Sequence, residues 1–318
     1  MKLGFFTDYS TAISAFAQEV GFGSLELSAW PQSALNADTI SDTRIAEILA
    51  DLERRGLEIS SLGYYPNYLD SNDDAAAEAS RYFRRVLELA ARMNVSTVST
   101  FAGQTPGKSV EDCLPAFAEC FTGFCEYAER LGVRIAIENC PMLDHKTRQG
   151  RNIAYSPEIW DAMFETVPSA SLGLELDPSH LVFLDIDYVQ AVLDYGERIF
   201  HVHAKDTEIN NERRARMGTF GQAIGNVEGL GNGWWRYRTP GWGQIDWARL
   251  ISALVEVGYP GNLDIEHEDE VFAAGAMAAL GGAAIVETLG RERNGLILGH
   301  RYLSLLIPPG DGTDLLPH

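Results

Sequence analysis

Basic side chains are scarce in this sequence. Lys and Arg together number 25 against 45 Asp and Glu, so the formal net charge of the 318 residues is −20 at pH 7. An electrostatic field of that sign repels phosphate backbones and anionic lipid headgroups. We therefore expect no nucleic acid and no membrane among the partners of this protein. Clustered carboxylates would instead suit a hard divalent cation.

Cysteine and long apolar runs are also rare. The four cysteines form no C-x-x-C pair, which is typical of free buried thiols rather than of a disulfide framework or a zinc site. The weakly charged stretch 272–286 has 15 residues, too few to cross a bilayer. The N-terminal MKLGFFTDYS has no signal-peptide pattern, and no G-x-G-x-x-G follows a predicted strand. These absences predict a cytoplasmic protein without a nucleotide cofactor.

Short runs of β-branched or aromatic residues alternate with segments of helical period along the chain. The eight predicted strands are residues 3–9, 24–30, 58–65, 95–102, 133–140, 171–177, 198–205 and 262–267. The eight predicted helices are residues 11–20, 42–55, 75–93, 109–131, 157–167, 186–195, 247–257 and 270–289. An open doubly wound sheet also alternates in this way, but the count of eight favours an α/β fold of the closed (β/α)8 type, a TIM barrel.

The predicted domain organisation is one barrel with two additions. Residues 1–290 form the catalytic barrel, and residues 291–318 form a C-terminal extension. The seventh strand is followed by a long loop, 206–246, that is rich in Gly, Trp and Arg. Loops of this length on a compact domain usually cover a site or bind something. We therefore expect this loop to lie over the site.

Aliphatic and polar residues alternate in each of the last four barrel strands, which predicts that the polar set points into the barrel. The polar residues at the ends of these strands are Glu138, Asp177, His203 and Glu266. Barrel enzymes place their sites at this C-terminal end. A strand-end carboxylate more often caps the next helix, but three crowded carboxylates would repel one another unless a cation were bound. The set predicts a site for Mn²⁺, Co²⁺, Fe²⁺ or Mg²⁺.

Four short motifs carry a resemblance to a known family: I-A-I-E-N (135–139), L-D-P-S-H (176–180), H-V-H-A-K-D (201–206) and D-I-E-H-E (264–268). Together they resemble the xylose-isomerase-like TIM barrels, the sugar phosphate isomerase/epimerase family, which include sugar isomerases, ketose epimerases and inosose-processing enzymes. The resemblance implies that the four strand-end residues are the metal ligands.

The same resemblance assigns substrate contacts. His180 matches a position that commonly contacts substrate oxygens. Many members of the family bind the sugar with an Arg that follows soon after the strand containing the ligand histidine. In this sequence Lys205 and Asp206 occupy the nearest positions. We therefore take Lys205 as a substrate-binding residue.

The chemistry expected of such a site is proton abstraction next to a sugar ketone. A ligand carboxylate, Glu138 or Glu266, can serve as the base, as the ketose epimerases of the family are thought to do. His145, in the loop after the fifth strand, is a second candidate, although a lone loop histidine is often a solvent-exposed bystander. His201 faces inward below His203 and is interpreted as a supporting or packing residue.

The long loop carries an aromatic and basic cluster. Trp234, Arg236 and Arg238 are predicted to bind substrate, because aromatic faces and guanidinium forks suit carbohydrate and planar aglycones. The alternative interpretation of this cluster is a subunit interface, where Trp, Tyr and Arg are also enriched.

Within the family, the sequences H-A-K-D-T, W-W-R-Y-R and P-G-W-G resemble the larger catalytic (alpha) subunits of bacterial C-glycoside deglycosidases. That resemblance implies a lyase acting on 3-oxo-C-glucosides, with β-elimination of the aglycone, His145 as base, Mn²⁺ as the metal of first choice and a smaller beta subunit as partner. The alternatives are an epimerase or isomerase of a ketose or inosose, and, from another class, a non-catalytic sugar-binding barrel. An endonuclease is disfavoured by the negative charge.

Overall fold

The structure is a computed structural model that describes residues 1–143, 149–220, 233–269, 271–272 and 283–308. Its strands are β1 Leu3–Thr7, β2 Ser24–Ser28, β3 Glu58–Gly63, β4 Thr97–Thr100, β5 Arg134–Glu138, β6 Leu172–Leu176, β7 Ile199–His203, β8 Asp206–Ile209, β9 Trp235–Arg238 and β10 Leu263–Ile265. Its helices are α1 Thr11–Val20, α2 Asp42–Arg54, α3 Asp73–Arg92, α4 Val110–Leu131, α5 Pro157–Thr166, α6 Pro178–Leu184, α7 Tyr188–Tyr195, α8 Asn211–Met217, α9 Trp247–Glu256 and α10 Ala283–Leu303.

Eight parallel strands close into a barrel in the order β1-β10-β7-β6-β5-β4-β3-β2, so the predicted TIM barrel is confirmed. Strand alternation explains the closure, because aliphatic residues of each strand pack outward while the residues between them fill the interior. Leu25, Ile135, Leu174 and Val202 are fully buried members of the hydrophobic core that surrounds the barrel.

The helix boundaries follow local capping chemistry. The side chains of Ser10, Ser41 and Ser109 each accept a hydrogen bond from the first turn of the helix that follows. Gly21 and Gly132 end α1 and α4 in the left-handed conformation that glycine adopts without strain. These signals explain why the predicted limits of most helices agree with the structure to within two residues.

The segment predicted as one long loop has structure of its own. β8 and β9 pair as an antiparallel two-stranded sheet, and α8 follows β8. Asp206 is buried, and its carboxylate accepts hydrogen bonds from the backbone N–H groups of Gly241 and Ile245 and from the indole of Trp247. Gly243 lies so close to this carboxylate that a Cβ would clash with it. Asp206 therefore ties the end of the segment to the start of β8.

The sequence analysis did not predict α6, a short helix directly after β6, and it placed the end of the last helix too early. α10 continues past residue 291, where the extension was predicted to start, and it buries Leu296 and Leu303 against the barrel core. Residues 273–282 and 309–318 lie outside the described residues.

Within the described chain, no helix has both the length and the apolar character needed to span a bilayer. All four cysteines are free, but only Cys113 and Cys125 are fully buried.

A glycine inside β6 tests how tightly the barrel is packed. A Cβ on Gly173 would clash with the carbonyl oxygen of Arg198 and approach the ring of Phe200 to 2.5 Å. We expect Gly173→Ala to lower the free energy of unfolding by about 1–3 kcal/mol. The matched control is Gly290→Ala, because Gly290 is helical and a Cβ there meets nothing within 4 Å. Denaturant unfolding of both variants is the measurement, and equal stabilities would contradict this account of the packing.

Candidate active site

The structure brings the four predicted metal ligands together at the C-terminal mouth of the barrel. One ligand atom from each of Glu138, Asp177, His203 and Glu266 lies within 4.8 Å of those of the other three. The four residues follow or end β5, β6, β7 and β10, which are neighbours in the barrel. Because parallel strands end at the same edge, residues more than 120 positions apart in the chain converge at one point.

Local hydrogen bonds fix the position of Asp177. Its Oδ1 accepts from the backbone N–H of Ser179 and so caps α6, with Pro178 at the first helical position. The side chain of Asn139 bonds both the N–H and the carbonyl of Asp177, which locks the end of β6 against the end of β5. The cap uses one carboxylate oxygen, so Oδ2 is left to face the cluster.

Among the described residues, Nδ1 of His203 is a buried atom of the cluster without a hydrogen-bond partner, whereas Oδ2 of Asp177 lies 3.0 Å from the Lys205 ammonium and 3.1 Å from Nε2 of His180. The Nδ1 atom lies 3.5 Å from Oε1 of Glu138 and 3.4 Å from Oε2 of Glu266. An unpartnered imidazole nitrogen among carboxylate oxygens is costly unless a cation binds between them. This donor set of three carboxylates and one imidazole fits a divalent metal ion.

Lys205 offsets part of the negative charge in the cluster. Its ammonium lies 3.0 Å from both Asp177 Oδ2 and Glu268 Oε2 and also contacts Glu266. Burial opposes the charged form of Lys205, but the three carboxylates outweigh burial and raise its pKa well above the usual value. Burial likewise favours protonated Asp177, but Lys205 and His180 hold the pKa of Asp177 well below its ordinary value. The site therefore contains ionised carboxylates and a charged lysine at neutral pH.

A second buried network lies in the barrel beside the first cluster. Its members are the buried Glu26, Glu175, His201 and Asp264 and the half-buried Tyr65. His201 Nδ1 lies 2.7 Å from Glu175 and its Nε2 lies 3.0 Å from Asp264, while the hydroxyl of Tyr65 donates to Glu26 and Glu175. Burial disfavours charged His201, but its hydrogen bonds to Asp264 and Glu175 raise its pKa to about 10. The interpretation of His201 as a supporting residue agrees with these contacts.

The two networks meet at His203. Its Nε2 lies 2.6 Å from Oε2 of Glu26, a carboxylate that the sequence analysis did not select. A proton on Nε2 satisfies Glu26 and leaves the lone pair of Nδ1 directed toward the other three ligands. Carboxylates that bind the second nitrogen of a ligand histidine in this way fix its tautomer and its orientation.

We expect Glu26→Gln to weaken Mn²⁺ binding by about 10- to 100-fold, because a neutral amide holds the Nε2–H tautomer less strongly than a carboxylate does. Mn²⁺ titration followed by electron paramagnetic resonance measures this effect. The matched control is Glu58→Gln. The Glu58 side chain is 44% exposed, and Glu58 is the first residue of β3, at the end of the barrel opposite to the cluster. An unchanged Mn²⁺ affinity in Glu26→Gln would show that this contact does not orient His203.

A cavity of about 230 Å³ opens above the cluster. Its charged wall residues are Glu138, Arg151, Lys205, Glu266 and Glu268. Its apolar and aromatic wall residues include Phe101, Met142, Leu143, Phe183, Trp235 and Tyr237. One side of the cavity thus suits hydroxyl or carbonyl oxygens, and the other side suits apolar surface.

The predicted substrate-binding residues occupy different places around this cavity. Lys205 lies on its wall. His180 is fully buried, and its ring nitrogens face Glu138 at 3.3 Å, Asp177 at 3.1 Å and the hydroxyl of Tyr237 at 3.0 Å. Direct contact of His180 with substrate was the expectation, whereas in the structure its contacts are with two of the cluster carboxylates and with Tyr237.

Strand alternation separates the aromatic and basic residues of β9. Trp235 and Tyr237 face the cavity, whereas Arg236 and Arg238 point to the opposite side, where both pair with Glu208. Arg238 also bonds the buried carboxylate of Asp269. Both arginines were expected to bind the sugar, but in the structure they face away from the cavity. The reason is that adjacent positions on a strand point to opposite faces.

Trp234 lies beside a neighbouring apolar cavity rather than on the wall above the cluster. It packs with Phe183, Ile209 and Trp235 in a small hydrophobic cluster. His145, the loop base expected from the resemblance, lies outside the described residues, as do Asp144 and residues 146–148.

Several wall residues were not selected from the sequence. The alternation within W-W-R-Y-R, applied as it was to the barrel strands, would have identified Trp235 and Tyr237. Glu268 follows Glu266 by two residues and shares its direction, so the same parity signal was available. Phe183 lies on α6, which was not predicted, and Arg151 lies in a loop where no periodic pattern exists.

The closed parallel barrel, with a buried carboxylate–imidazole cluster at its C-terminal mouth that could hold a divalent metal ion, defines the class of this protein as a TIM barrel. The chain belongs to the xylose isomerase-like TIM barrel family, whose model matches residues 14–287.

The similarities to individual proteins extend over most of the chain. It is 31% identical to an inosose dehydratase of Geobacillus thermodenitrificans, over 72% of this chain and 74% of that protein. It is 26% identical to the uncharacterized protein YfiH of Bacillus subtilis, over 85% of this chain and 93% of YfiH. Among solved structures, the probable 3-DHS dehydratase AsbF of Bacillus anthracis superposes with a TM-score of 0.68 at 17% identity, over 96% of this chain and 99% of AsbF.

Proposed function

We propose that this protein is a divalent-metal-dependent enzyme that removes a proton from the carbon next to a sugar ketone. The observation that carries the proposal is the convergence of four ligand atoms within 4.8 Å of one another below the 230 Å³ cavity, with the buried Nδ1 of His203 lacking a hydrogen-bond partner among the described residues. In the proposal Glu138, Asp177, His203 and Glu266 hold the metal, with Mn²⁺ as the first choice for this mixture of oxygen and nitrogen donors.

A bound divalent ion would supply Lewis-acid polarisation of a ketone oxygen, which acidifies the neighbouring C–H bond. The chain's own residues do the rest. The Lys205 ammonium on the cavity wall stabilises negative charge that develops on the substrate oxygen. An oxygen of Glu138 or Glu266 takes the proton, or the imidazole of His145 does so.

The specific activity in this proposal is that of a C-glycoside deglycosidase alpha subunit, which acts on 3-oxo-C-glucosides. The proton leaves C2, next to the C3 ketone, and its electron pair forms the enolate. Collapse of the enolate forms a C1–C2 double bond and breaks the bond from C1 to the aglycone, whose carbon then takes a proton. A relative that is named as a dehydratase of inosose, a keto-inositol, supports elimination next to a ketone.

The other predicted residues take supporting roles in this proposal. His180 orients Glu138 and Asp177 through its Nε2. Arg236 and Arg238 stabilise the β8–β9 sheet through Glu208, so that Trp235 and Tyr237 face the substrate. A smaller beta subunit as partner and a reducing cytoplasmic location, which would suit four free cysteines, belong to the same proposal.

A second candidate is an epimerase or isomerase of a ketose or inosose. The same proton abstraction would then be followed by return of the proton, with no bond to an aglycone broken. The inosose dehydratase relative favours a cyclic keto-polyol as the substrate in that case.

Mass spectrometry in D₂O tests the proposal. The Mn²⁺-loaded protein is offered a 3-oxo-C-glucoside, an inosose and a panel of free ketoses. Release of the aglycone would support the lyase, and deuterium uptake by an inosose or a ketose without bond cleavage would support the second candidate. Metal binding with neither product would contradict both candidates for the chain acting alone, and would favour a missing partner subunit or a non-catalytic sugar-binding barrel.

A further inference from the structure

The β8–β9 sheet is joined to the carboxylate cluster through α6. Thr207 and Tyr237 lie opposite each other in the sheet. The hydroxyl of Thr207 donates a hydrogen bond of 2.8 Å to the backbone carbonyl of Ser179, the residue before His180. Thr207 and Ser179 are both fully buried. The sheet that carries Tyr237 and the helix that carries His180 are therefore held together.

The hydroxyl of Tyr237 holds the imidazole of His180 from one side. Its oxygen lies 3.0 Å from Nδ1 of His180, and the two rings meet edge to face with centroids 5.4 Å apart. On the other side of the imidazole, Nε2 lies 3.3 Å from Glu138 and 3.1 Å from Asp177. An ionised carboxylate only accepts hydrogen bonds, so Nε2 donates to it, whereas a hydroxyl can donate or accept and satisfies Nδ1 in either state. Both ring nitrogens therefore have partners.

An imidazole that is bonded at a single nitrogen can turn over. The outer torsion of a histidine side chain is broad and roughly two-fold, so a half-turn of the ring exchanges nitrogen for carbon at each position. A flipped His180 would place a carbon against Glu138 and Asp177, which would lose a hydrogen bond that fixes their orientation. The contact between Nδ1 and Tyr237 opposes this rotation.

The ring of Tyr237 makes a second, separate contact. The ammonium of Lys205 lies 4.5 Å from the centroid of this ring, within the range of a cation–π interaction. That ammonium also contacts Asp177, Glu266 and Glu268. One side chain on β9 thus contacts two groups that border Asp177, an imidazole through its hydroxyl and an ammonium through its ring face.

We propose that Tyr237 is a positioning residue for proton abstraction, which acts on the carboxylates of Glu138 and Asp177 through His180. The inference rests on the proposed function, since it takes these carboxylates to hold the metal ion at the point of reaction. It gives the β8–β9 sheet a part in the chemistry, because the sheet supplies the group that orients two ligands. The ring of Tyr237 lies on the cavity wall, but its hydroxyl acts through His180 rather than on the substrate.

Tyr237→Phe tests the hydroxyl alone, because the ring and its contact with Lys205 remain. At saturating Mn²⁺ we expect kcat for deuterium exchange next to the ketone of methyl 3-oxo-β-D-glucopyranoside to fall by about 10-fold, with KM changed by less than about 2-fold. The affinity for Mn²⁺, measured by electron paramagnetic resonance, should also fall by about 10-fold. A raised KM with unchanged kcat would mean that Tyr237 binds the substrate, and it would overturn the inference.

A double-mutant cycle shows whether Tyr237 acts through His180. His180→Gln should lower kcat and the Mn²⁺ affinity by about 10- to 100-fold, and in that background Tyr237→Phe should have no further effect. Independent, additive effects would overturn the inference. Tyr237→Leu also removes the ring, and its further loss relative to Tyr237→Phe should persist in both backgrounds, because the ring acts on Lys205.

Tyr195→Phe is the matched control. Tyr195 is a half-buried residue of α7 whose hydroxyl lies 2.7 Å from Asp161, and its ring packs edge to face with Trp160 at 5.1 Å. The same chemical change is thus made among the outer helices, so kcat, KM and the Mn²⁺ affinity should all be unchanged. Circular dichroism verifies that each variant is folded. Where His180→Gln does not fold, the split between kcat and KM in Tyr237→Phe decides alone.

The outcomes distinguish this inference from the proposed function. An unmodified protein that binds Mn²⁺ but exchanges no deuterium would reject the proposed chemistry, and the cycle in Mn²⁺ affinity would still decide whether Tyr237 acts through His180. Exchange that Tyr237→Phe leaves unchanged would reject the inference and retain the proposed function. A protein that binds none of Mn²⁺, Co²⁺, Fe²⁺ and Mg²⁺ would overturn both.

Discussion

Replacing Asp177 with asparagine is expected to weaken Mn²⁺ binding by more than about 100-fold, beyond the effect usual for residues that only support a metal ligand. Asparagine keeps an oxygen that can accept the capping hydrogen bond from Ser179, so α6 should remain folded. The oxygen that faces the cluster becomes an amide nitrogen, which has no lone pair available for a cation. Proton abstraction next to the ketone should fall together with metal binding.

A matched control exists one helix further along the chain. Asp187 caps α7 through the same oxygen, which accepts from the backbone of Val189 and Gln190, but it lies outside the cluster. Asp187→Asn makes the same chemical change in the same structural role. Electron paramagnetic resonance gives the Mn²⁺ affinity of each variant, and circular dichroism verifies that each is folded. Unchanged Mn²⁺ affinity in folded Asp177→Asn would refute the assignment of Asp177 as a ligand.

The second large effect is expected at Lys205, whose ammonium is buried among Asp177, Glu266 and Glu268. Lys205→Met leaves these carboxylates without their cation. Breaking a buried ion pair from one side typically costs about 3–5 kcal/mol, and we expect a loss of that size in the free energy of unfolding of the metal-free protein. Turnover should also be lost, because Lys205 lies on the cavity wall.

Metal should reverse part of the defect in Lys205→Met. A cation bound among the carboxylates supplies the missing positive charge, and a ligand at 100 times its dissociation constant stabilises a folded protein by about 2.7 kcal/mol. Chemical denaturation with and without Mn²⁺ measures the rescue. Lys2→Met is the control, because Lys2 and its partner Glu58 are about half exposed, and we expect a change within about 0.5 kcal/mol. Metal-free Lys205→Met as stable as the unmodified protein would show that the ammonium does not offset carboxylate repulsion.

These two variants should differ in a way that identifies the roles of the residues. Asp177→Asn leaves Lys205 with two other carboxylates, Glu266 and Glu268, so the metal-free protein should lose less stability than Lys205→Met does, while its affinity for the metal falls. Lys205→Met removes the positive charge, so the metal-free protein should lose stability and depend on the metal for rescue. A purely structural role for both residues would lower stability in both variants without regard to metal.

The periodic parts of the sequence determined the barrel. Strand and helix periods repeat along the chain, and serine caps and terminal glycines mark several helix ends, so local chemistry was sufficient to predict the eight barrel strands, seven of the helices and the closure of the barrel. The convergence of Glu138, Asp177, His203 and Glu266 also followed from the sequence. The alternation of side chains along a strand and the common end of parallel strands are regular features, so the sequence alone is sufficient to predict them.

Features that depend on distant or irregular contacts were decided by the tertiary structure. Glu26 supports His203 from a strand 177 residues away, which no local pattern indicates. The folding of Gly241 and Ile245 onto Asp206 arises from one carboxylate, and the direction of Arg236 and Arg238 away from the cavity arises from one small sheet. The apolar cavity beside the site exists because α6 places Phe183 against Trp235. Sequence period determines which face of an element a residue occupies, but only the packed chain determines which residue lies opposite it.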